Sequence, residues 1–235
     1  RDLVCEVYTK LVRDYVVAAL VSAGNNGPAL STLGSPGGEC PSVIGVGAYV
    51  SPEMTKALYS QLEETGDTPF NFSSRGPAKS GDLGVDIMAP GGAIAPVSLT
   101  TVQPVTLMNG TSMSSPSAAG AGALLLSAAK QQGMRVTPER MRKALMNSAK
   151  FVPAVEVWAQ GAGLVQVPEA FEYLQSVKDA AALDKFYDLS SNDNELIAGP
   201  GLYRRELLPP GPFEASFSVN ANFLTNTSNE VQRQF

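Results

Sequence analysis

A serine at the start of a predicted helix is the residue of this chain that is best placed for covalent chemistry. Ser112 lies in residues 108–116, Met-Asn-Gly-Thr-Ser-Met-Ser-Ser-Pro, directly before a segment rich in alanine, glycine and leucine. The first turn of a helix carries unpaired backbone N–H groups and the positive end of the helix dipole. These groups stabilise negative charge that develops on a substrate oxygen. The sequence therefore makes Ser112 a candidate nucleophile, with Gly110 leaving room beside it.

The residues of this segment leave two alternatives open. In the first, Ser112 or Thr111 simply caps the helix, which is the commoner role of a serine or threonine at such a position. In the second, the chain is a serine esterase on another fold. The nucleophile elbow of an α/β-hydrolase needs Gly-x-Ser-x-Gly, and Ser114 stands where the second glycine is required. That mismatch disfavours the esterase.

A second candidate element follows the continuous apolar run of residues 16–22, which predicts a buried strand. Residues 22–28 read Ser-Ala-Gly-Asn-Asn-Gly-Pro. Ligands of open α/β sheets bind beyond the carboxyl ends of the strands, so the side-chain amide of Asn25 could donate a hydrogen bond to an oxyanion there. The alternative is an ordinary turn that uses asparagine and glycine for their backbone freedom.

Strands alternate with helices along most of the chain. We predict helices over residues 2–14, 112–132 and 168–177 and from Thr137 onwards, and strands over residues 16–22, 42–48 and 85–88. Residues 51–67 are predicted to be a surface excursion. Helix 112–132 is apolar nearly all round, which predicts burial on most of its sides. The alternation predicts an α/β fold with a largely parallel sheet and helices on both faces.

The composition changes after Val177, and we divide the chain near residue 185. Residues 190–194 and 209–212 are predicted loops. Apolar residues alternate with polar or small ones from Phe213 to Phe223, which is typical of a half-buried strand. Residues 186–235 are therefore predicted to be a linker and the beginning of a β-sandwich-like domain.

The composition excludes several classes of function. The chain has 235 residues and a formal charge of 17 − 22 = −5, which disfavours binding to nucleic acid or to an anionic membrane. Residues 118–129 form the longest nonpolar stretch, which is too short to span a bilayer. Cys5 and Cys40 are too few for a disulfide scaffold; we predict that they are small buried hydrophobic residues in a reducing compartment.

The chain contains no histidine, so a mechanism that needs a histidine base cannot be complete within it. Asp67, Asp82 and Asp86 show no spacing that defines a metal site, and Asp86 is assigned to the end of a strand. The sequence therefore predicts no metal and no other cofactor.

Four segments in the same order resemble the subtilisin-like serine peptidases, the subtilases. They are residues 23–25 (Ala-Gly-Asn), 72–77 (Phe-Ser-Ser-Arg-Gly-Pro), 89–91 (Ala-Pro-Gly) and 110–116 (Gly-Thr-Ser-Met-Ser-Ser-Pro). The resemblance implies that Ser112 is the nucleophile and that Asn25 and the backbone N–H of Ser112 form the oxyanion hole. It also implies that Ala23 and Gly24 border the substrate pocket. The expected fold is a subtilisin-like parallel sheet that is incomplete at its N-terminal side.

The family's catalytic triad runs Asp, His, Ser along the chain. The resemblance implies that the first two members precede residue 1, so that residues 1–185 are the C-terminal portion of a peptidase domain. Without a base a serine hydroxyl is a weak nucleophile, and the isolated chain is predicted to be nearly inactive. Many subtilases have histidine after the motif proline, whereas this chain has Ser117.

Within the family, residues 43–52 and 201–206 are similar to a branch of exopeptidases. That resemblance implies a cytosolic enzyme that removes tripeptides from the free N-termini of peptide substrates and assembles into a very large homo-oligomer. The alternative from another class is a non-catalytic scaffold or assembly segment of a degenerate subtilase.

Overall fold

A computed structural model describes residues 3–62, 66–97, 100, 102–180, 185–191, 199–202 and 214–224. The helices are α1 (Leu3–Arg13), α2 (Pro52–Tyr59), α3 (Thr111–Gln131), α4 (Pro138–Asn147), α5 (Val157–Gln160) and α6 (Val167–Ser176). The strands are β1 (Leu20–Ser22), β2 (Ile44–Val50), β3 (Thr68–Pro69), β4 (Ile87–Pro90), β5 (Gly92–Pro96), β6 (Val105–Asn109), β7 (Lys185–Ser191) and β8 (Phe217–Phe223).

The central strand of the main sheet is β2. It runs parallel to β1, with Leu20 opposite Ile44, and parallel to β4, with Val46 opposite Ile87. The short strand β3 pairs in the antiparallel direction with the C-terminal end of β2. All residues of β2 are buried, as expected for a parallel strand covered on both faces. The predicted α/β fold with a parallel sheet and flanking helices is confirmed.

The largest hydrophobic core lies between this sheet and helices α3, α4 and α6. Its fully buried side chains include Val46, Ile87, Leu125 and Leu145. Each such side chain contributes about 1.5–3 kcal/mol through removal from water. Because α3 packs on β1, β2 and β4 at once, the core fixes the helix that begins at the candidate nucleophile.

The prediction that α3 is buried on most sides is wrong for the described part of the chain. One face, which includes Ala118, Ala121 and Leu125, is buried in the core. The opposite face is open, and Leu124 on it is 62% exposed. The apolar composition of a helix does not by itself predict which of its faces is buried.

The structure also corrects the prediction for the two cysteines. Cys5 and Cys40 form a disulfide, with their Cα atoms 5.3 Å apart. The bond joins α1 to the loop before β2, and the hydroxyls of Thr9 and Ser42 meet beside it at 2.8 Å. The sequence separation of 35 residues does not reveal this proximity, which depends on how α1 packs. In the chain-entropy model, closing a loop of that length stabilises the fold by about 3–4 kcal/mol.

Several elements differ from their predicted form. Residues 51–67 contain helix α2, whose first turn is capped by Ser51 and has Pro52 at its first position. The antiparallel ribbon of β5 and β6, with Ile94 opposite Leu107, was not predicted. None of the helices described here is long and apolar enough to cross a membrane.

The predicted strand near the end of the chain is present as β8, which pairs with β7 in an antiparallel hairpin. The predicted half-burial holds for Phe223 but not for Phe217 and Val219, which are exposed in the described structure. Strand β7 extends to Ser191, so the prediction of a loop is wrong for residues 190 and 191; residues 192–194 and 209–212 lie outside the described residues.

Candidate active site

The structure brings Asn25 and Ser112 to the same edge of the sheet. Strand β1 ends at Ser22, and the loop that follows carries Asn25. Strand β6 ends at Asn109, and α3 begins two residues later at Thr111. The two segments are joined because the backbone N–H of Thr111 donates to Asn25 Oδ1 over 2.9 Å.

The carboxamide of Asn25 is oriented by a second hydrogen bond. The hydroxyl of Thr111 also donates to Asn25 Oδ1, over 2.8 Å. With both contacts made to the oxygen, the Nδ2 group of Asn25 faces the other way and keeps its two N–H donors for another partner. A donor presented in this manner is the feature that an oxyanion hole requires.

Gly110 leaves an open space in front of the two expected donors. A Cβ atom built on Gly110 would lie 3.4 Å from Asn25 Nδ2 and 3.5 Å from the backbone N of Ser112. Two nitrogen donors therefore border one small volume at the start of α3, where the helix dipole adds positive potential. Ser112 itself is exposed.

The capping alternative does not describe this helix start. The N-cap residue of α3 is Gly110, and no side chain makes a capping hydrogen bond there. Thr111 is fully buried, accepts a hydrogen bond from the backbone N–H of Gly24 over 3.2 Å and donates to Asn25. Sequence reasoning did not assign Thr111 this role; its place beside Ser112 was the available signal.

Residues 72–77 hold the Asn25 loop from the other side. Ser74 Oγ accepts from the backbone N–H of Asn26 over 3.1 Å, and the backbone N–H of Ser74 donates to the carbonyl of Gly24 over 2.9 Å. Gly24 has φ of +113°, and a Cβ there would lie 2.8 Å from Ser74 Oγ. A glycine is therefore required at this position for both backbone conformation and space.

Residues 89–91 contact the residue that immediately precedes α3. The carbonyl of Gly91 accepts from the backbone N–H of Gly110 over 2.9 Å. The N–H of Gly91 donates to the carbonyl of Tyr49 at the end of β2. The position of Gly110, and with it the start of α3, is thus tied by hydrogen bonds to the central strand.

The two residues expected to border the substrate differ in exposure. The side chain of Ala23 is fully buried, and its backbone is bonded to Val46 and Gly34. Gly24 is half-buried. Of the pair, Gly24 is the residue with surface open to a bound molecule.

Asp86 is a structural carboxylate. It accepts from the backbone N–H of Gly45 over 2.7 Å and from the guanidinium of Arg142 over 2.7 Å. Burial raises the pKa of Asp86, while Arg142 acts in the opposite direction. Within the described ranges no group of three or more histidine, cysteine or acidic residues is arranged to hold a metal ion.

Comparison with known proteins shows the family of the chain. A model of the subtilase family matches residues 9–187. The chain belongs to the subtilase family. The hydrogen bonds between Asn25 and the start of α3 are therefore features of a subtilase chain.

This subtilase chain is similar to tripeptidyl-peptidase 2 from several organisms. It is 50% identical to the protein of Oryza sativa subsp. japonica over 181 aligned residues, and the alignment covers 76% of this chain and 13% of that protein. It is 47% identical over 210 residues to the protein of Arabidopsis thaliana, covering 87% and 15%. The crystal structure of tripeptidyl peptidase 2 superimposes with a TM-score of 0.74 at 33% identity, covering 94% of this chain and 16% of that one. The chain thus spans about one seventh of the length of the relatives it matches.

Proposed function

We propose that this chain supplies the nucleophile and the oxyanion hole of a serine peptidase. In this reaction Ser112 Oγ forms a bond to the scissile carbonyl carbon and loses its proton to a base. The carbonyl oxygen becomes an oxyanion that accepts hydrogen bonds from Asn25 Nδ2 and from the backbone N–H of Ser112. The C–N bond then breaks, the amine leaves with a proton, and an acyl-enzyme remains for hydrolysis. The observation that carries the proposal is the pair of hydrogen bonds from Thr111 that engages Asn25 Oδ1, while Asn25 Nδ2 borders the space at Gly110 beside Ser112.

The chain has no histidine to act as the base. We propose that a longer protein containing this chain supplies the aspartate and histidine of the triad. The chain alone is then expected to be nearly inactive, because an unassisted serine hydroxyl is a weak nucleophile.

The finer specificity is a separate proposal. The relatives named above are tripeptidyl-peptidases, so we propose that the enzyme releases tripeptides from the free N-termini of oligopeptides. We propose separately that it acts as a homo-oligomer. Mass spectrometry of products from an oligopeptide and its N-acetylated form tests the specificity. Tripeptides from the free form alone would support it, whereas equal cleavage of both would contradict it. Sedimentation of the full-length protein tests the assembly: a monomer would contradict it.

We also propose a cytoplasmic location. The disulfide between Cys5 and Cys40 is an observation against this location, because cytosolic thiols are kept reduced. Acid trapping of thiols in intact cells, followed by mass spectrometry of the two peptides, measures the state of the pair. Free thiols would support the cytoplasm, and a bonded pair would contradict it.

Labelling with a fluorophosphonate probe tests the catalytic proposal. We expect the full-length protein to be labelled at Ser112 and the Ser112→Ala variant to be unlabelled. Ser117→Ala, which changes an exposed serine of the same helix, is the matched control and should be labelled like the wild type. A folded wild-type protein without labelling would favour the alternative, a scaffold or assembly segment of a degenerate subtilase. For Asn25→Ala we expect kcat to fall by about 10²–10³, a magnitude taken from the equivalent change in subtilisin.

A further inference from the structure

Helix α2 ends against the strand that leads to Ser112. The hydroxyl of Tyr59, the last residue of α2, donates a hydrogen bond to Asn109 Oδ1. Leu58 lies at the same place, since a Cβ built on Gly92 would be 2.8 Å from Leu58 Cδ1. Gly92 is the residue paired with Asn109 across the β5–β6 ribbon. The end of α2 is therefore packed on the end of the ribbon that lies next to the candidate nucleophile.

Asn109 is close enough to Ser112 to contact the same bound peptide. Three residues separate the two positions along the chain, and successive Cα atoms are about 3.8 Å apart, so their Cα atoms lie within roughly 11 Å. An extended peptide advances about 3.3 Å per residue. A peptide whose carbonyl lies at Ser112 and whose chain extends toward the end of β6 reaches Asn109 within about three residues. The side chain of Asn109 is exposed and open to such contact.

The contact with Tyr59 decides which end of the Asn109 amide is available. A carboxamide has one acceptor oxygen and one NH₂ group with two donors. Tyr59 engages the oxygen, so the Nδ2 group is held on the other side of the amide. Burial raises the pKa of Tyr59, outweighing the opposite effect of its hydrogen bond to Asn109. The hydroxyl consequently remains protonated and able to donate at neutral pH.

We propose that Tyr59 is a positioning residue that orients Asn109 so that Asn109 Nδ2 donates a hydrogen bond to a backbone carbonyl of the bound peptide. This inference rests on the proposed peptidase function and adds a substrate-binding residue to it. The contact is made away from the reacting carbonyl, so it is present in the ground state and in the transition state alike. A contact of that kind lowers KM and leaves kcat unchanged.

The first test is Tyr59→Phe in the full-length protein, measured with an oligopeptide substrate. We expect KM to rise roughly three- to tenfold, as for loss of one hydrogen bond, with kcat unchanged. The rate at which a fluorophosphonate labels Ser112 should also be unchanged, because that reagent has no peptide chain to bind. Tyr173→Phe is the matched control: it removes a hydroxyl that accepts from Asn147 Nδ2 over 2.9 Å on helices α4 and α6. The control should keep wild-type KM.

The second test is Asn109→Asp, which retains an acceptor for Tyr59 and removes the NH₂ donor. We expect its KM to rise at least as much as that of Tyr59→Phe. The double variant should be no worse than Asn109→Asp alone, because the tyrosine acts through the asparagine. This variant also tests the inference if Tyr59→Phe does not fold.

The outcomes separate this inference from the proposed function. If the wild type is not labelled at Ser112 and cleaves no peptide, both are overturned. If the wild type is active but Tyr59→Phe and Asn109→Asp keep wild-type KM, the inference alone is overturned. It is also overturned if both variants lower labelling and peptide cleavage by the same factor, since that result describes a general loss of structure.

Discussion

The hydroxyl of Thr111 donates to Asn25 Oδ1 over 2.8 Å, although the two residues are 86 positions apart in the chain. Thr111 is fully buried and also accepts from the backbone N–H of Gly24. One side chain therefore fixes both the backbone and the amide of the loop that faces Ser112. The residue beside Ser112, and not Ser112 itself, determines where the amide of Asn25 points.

Replacing this hydroxyl tests its importance directly. Thr111→Val keeps the shape of the side chain and the backbone hydrogen bond to Asn25 Oδ1, but it removes the hydroxyl that also donates to this oxygen and that accepts from the N–H of Gly24. Loss of such hydrogen bonds costs about 1–3 kcal/mol, so we expect kcat to fall roughly ten- to a hundredfold. Thr111→Ser, which retains the hydroxyl, should stay near the wild-type value. Steady-state kinetics of the full-length protein measure both, and equal activity of the two variants would contradict this role.

Gly110→Ala tests the space in front of the donors. The added methyl makes contacts of 3.4 and 3.5 Å, which are ordinary van der Waals distances, so we expect the protein to fold. The methyl nevertheless occupies the volume that an oxyanion needs, and kcat should fall by at least the roughly 10²-fold seen on loss of one oxyanion donor.

The control for that substitution is Gly120→Ala in the same helix, where a Cβ would meet nothing within 4 Å. Removing an exposed helical glycine should stabilise the protein by about 0.5–1 kcal/mol without affecting kcat. Full activity of Gly110→Ala would show that the space beside Ser112 is not used.

The pair of Asp86 and Arg142 predicts a pH-dependent stability. Arg142→Gln leaves a buried carboxylate without its cation, and we expect the free energy of unfolding at pH 7 to fall by about 3–5 kcal/mol. Burial already raises the pKa of Asp86, and loss of Arg142 raises it further. The folded state then binds a proton more readily than the unfolded state does.

The deficit should therefore shrink as the pH falls through the pKa of Asp86 in the folded variant, and stop shrinking once Asp86 of the folded wild type is protonated as well, because the unfolded chain contributes equally to both proteins. Urea titrations followed by hydrogen exchange in β2 and β4, at pH 7 and pH 5, measure this dependence. Adding Asp86→Asn should remove it, since no charge is then buried. A deficit of the same size at both pH values would refute the electrostatic explanation.

The disulfide predicts a redox-dependent stability. Replacing Cys5 and Cys40 by serine should lower the free energy of unfolding by about 2–4 kcal/mol under oxidising conditions. In the presence of a strong reductant the variant and the wild type should differ little, because the wild type has also lost its crosslink. Denaturant titrations in the two conditions make the comparison. A difference that persists in reductant would assign the effect to packing of the cysteine side chains.

The sequence predicted the parts of this molecule that are specified locally. The buried strand at 42–48, the helix at 112–132 and the N-cap at Thr137, which accepts from the N–H of Arg140 over 3.3 Å, are all present. Each depends on periodicity or on residues a few positions apart. The start of α2 carries the same kind of local signal, since Ser51 followed by Pro52 is typical of a helix start, although residues 51–67 are predicted above only as a surface excursion.

What could not be predicted depends on contacts between distant segments. The bond between Cys5 and Cys40 requires α1 to pack beside the loop before β2, and the role of Thr111 requires β1 and β6 to end at one place. Neither relationship leaves a periodic pattern in the sequence. The exposed face of α3 is a third case, since the apolar composition of the helix does not predict which of its faces packs against the rest of the described structure.

The burial of β2 has a consequence for thermal inactivation. This strand is hydrogen-bonded to β1, β3 and β4 and is buried along its whole length, whereas Asn25, in the loop after β1, and Ser112, in the first turn of α3, are exposed. Segments with fewer buried contacts open at lower free energy than the core does. In the proposed full-length peptidase, warming would therefore abolish catalysis while the sheet is still intact, and cooling at that stage would restore it without any need for the chain to refold.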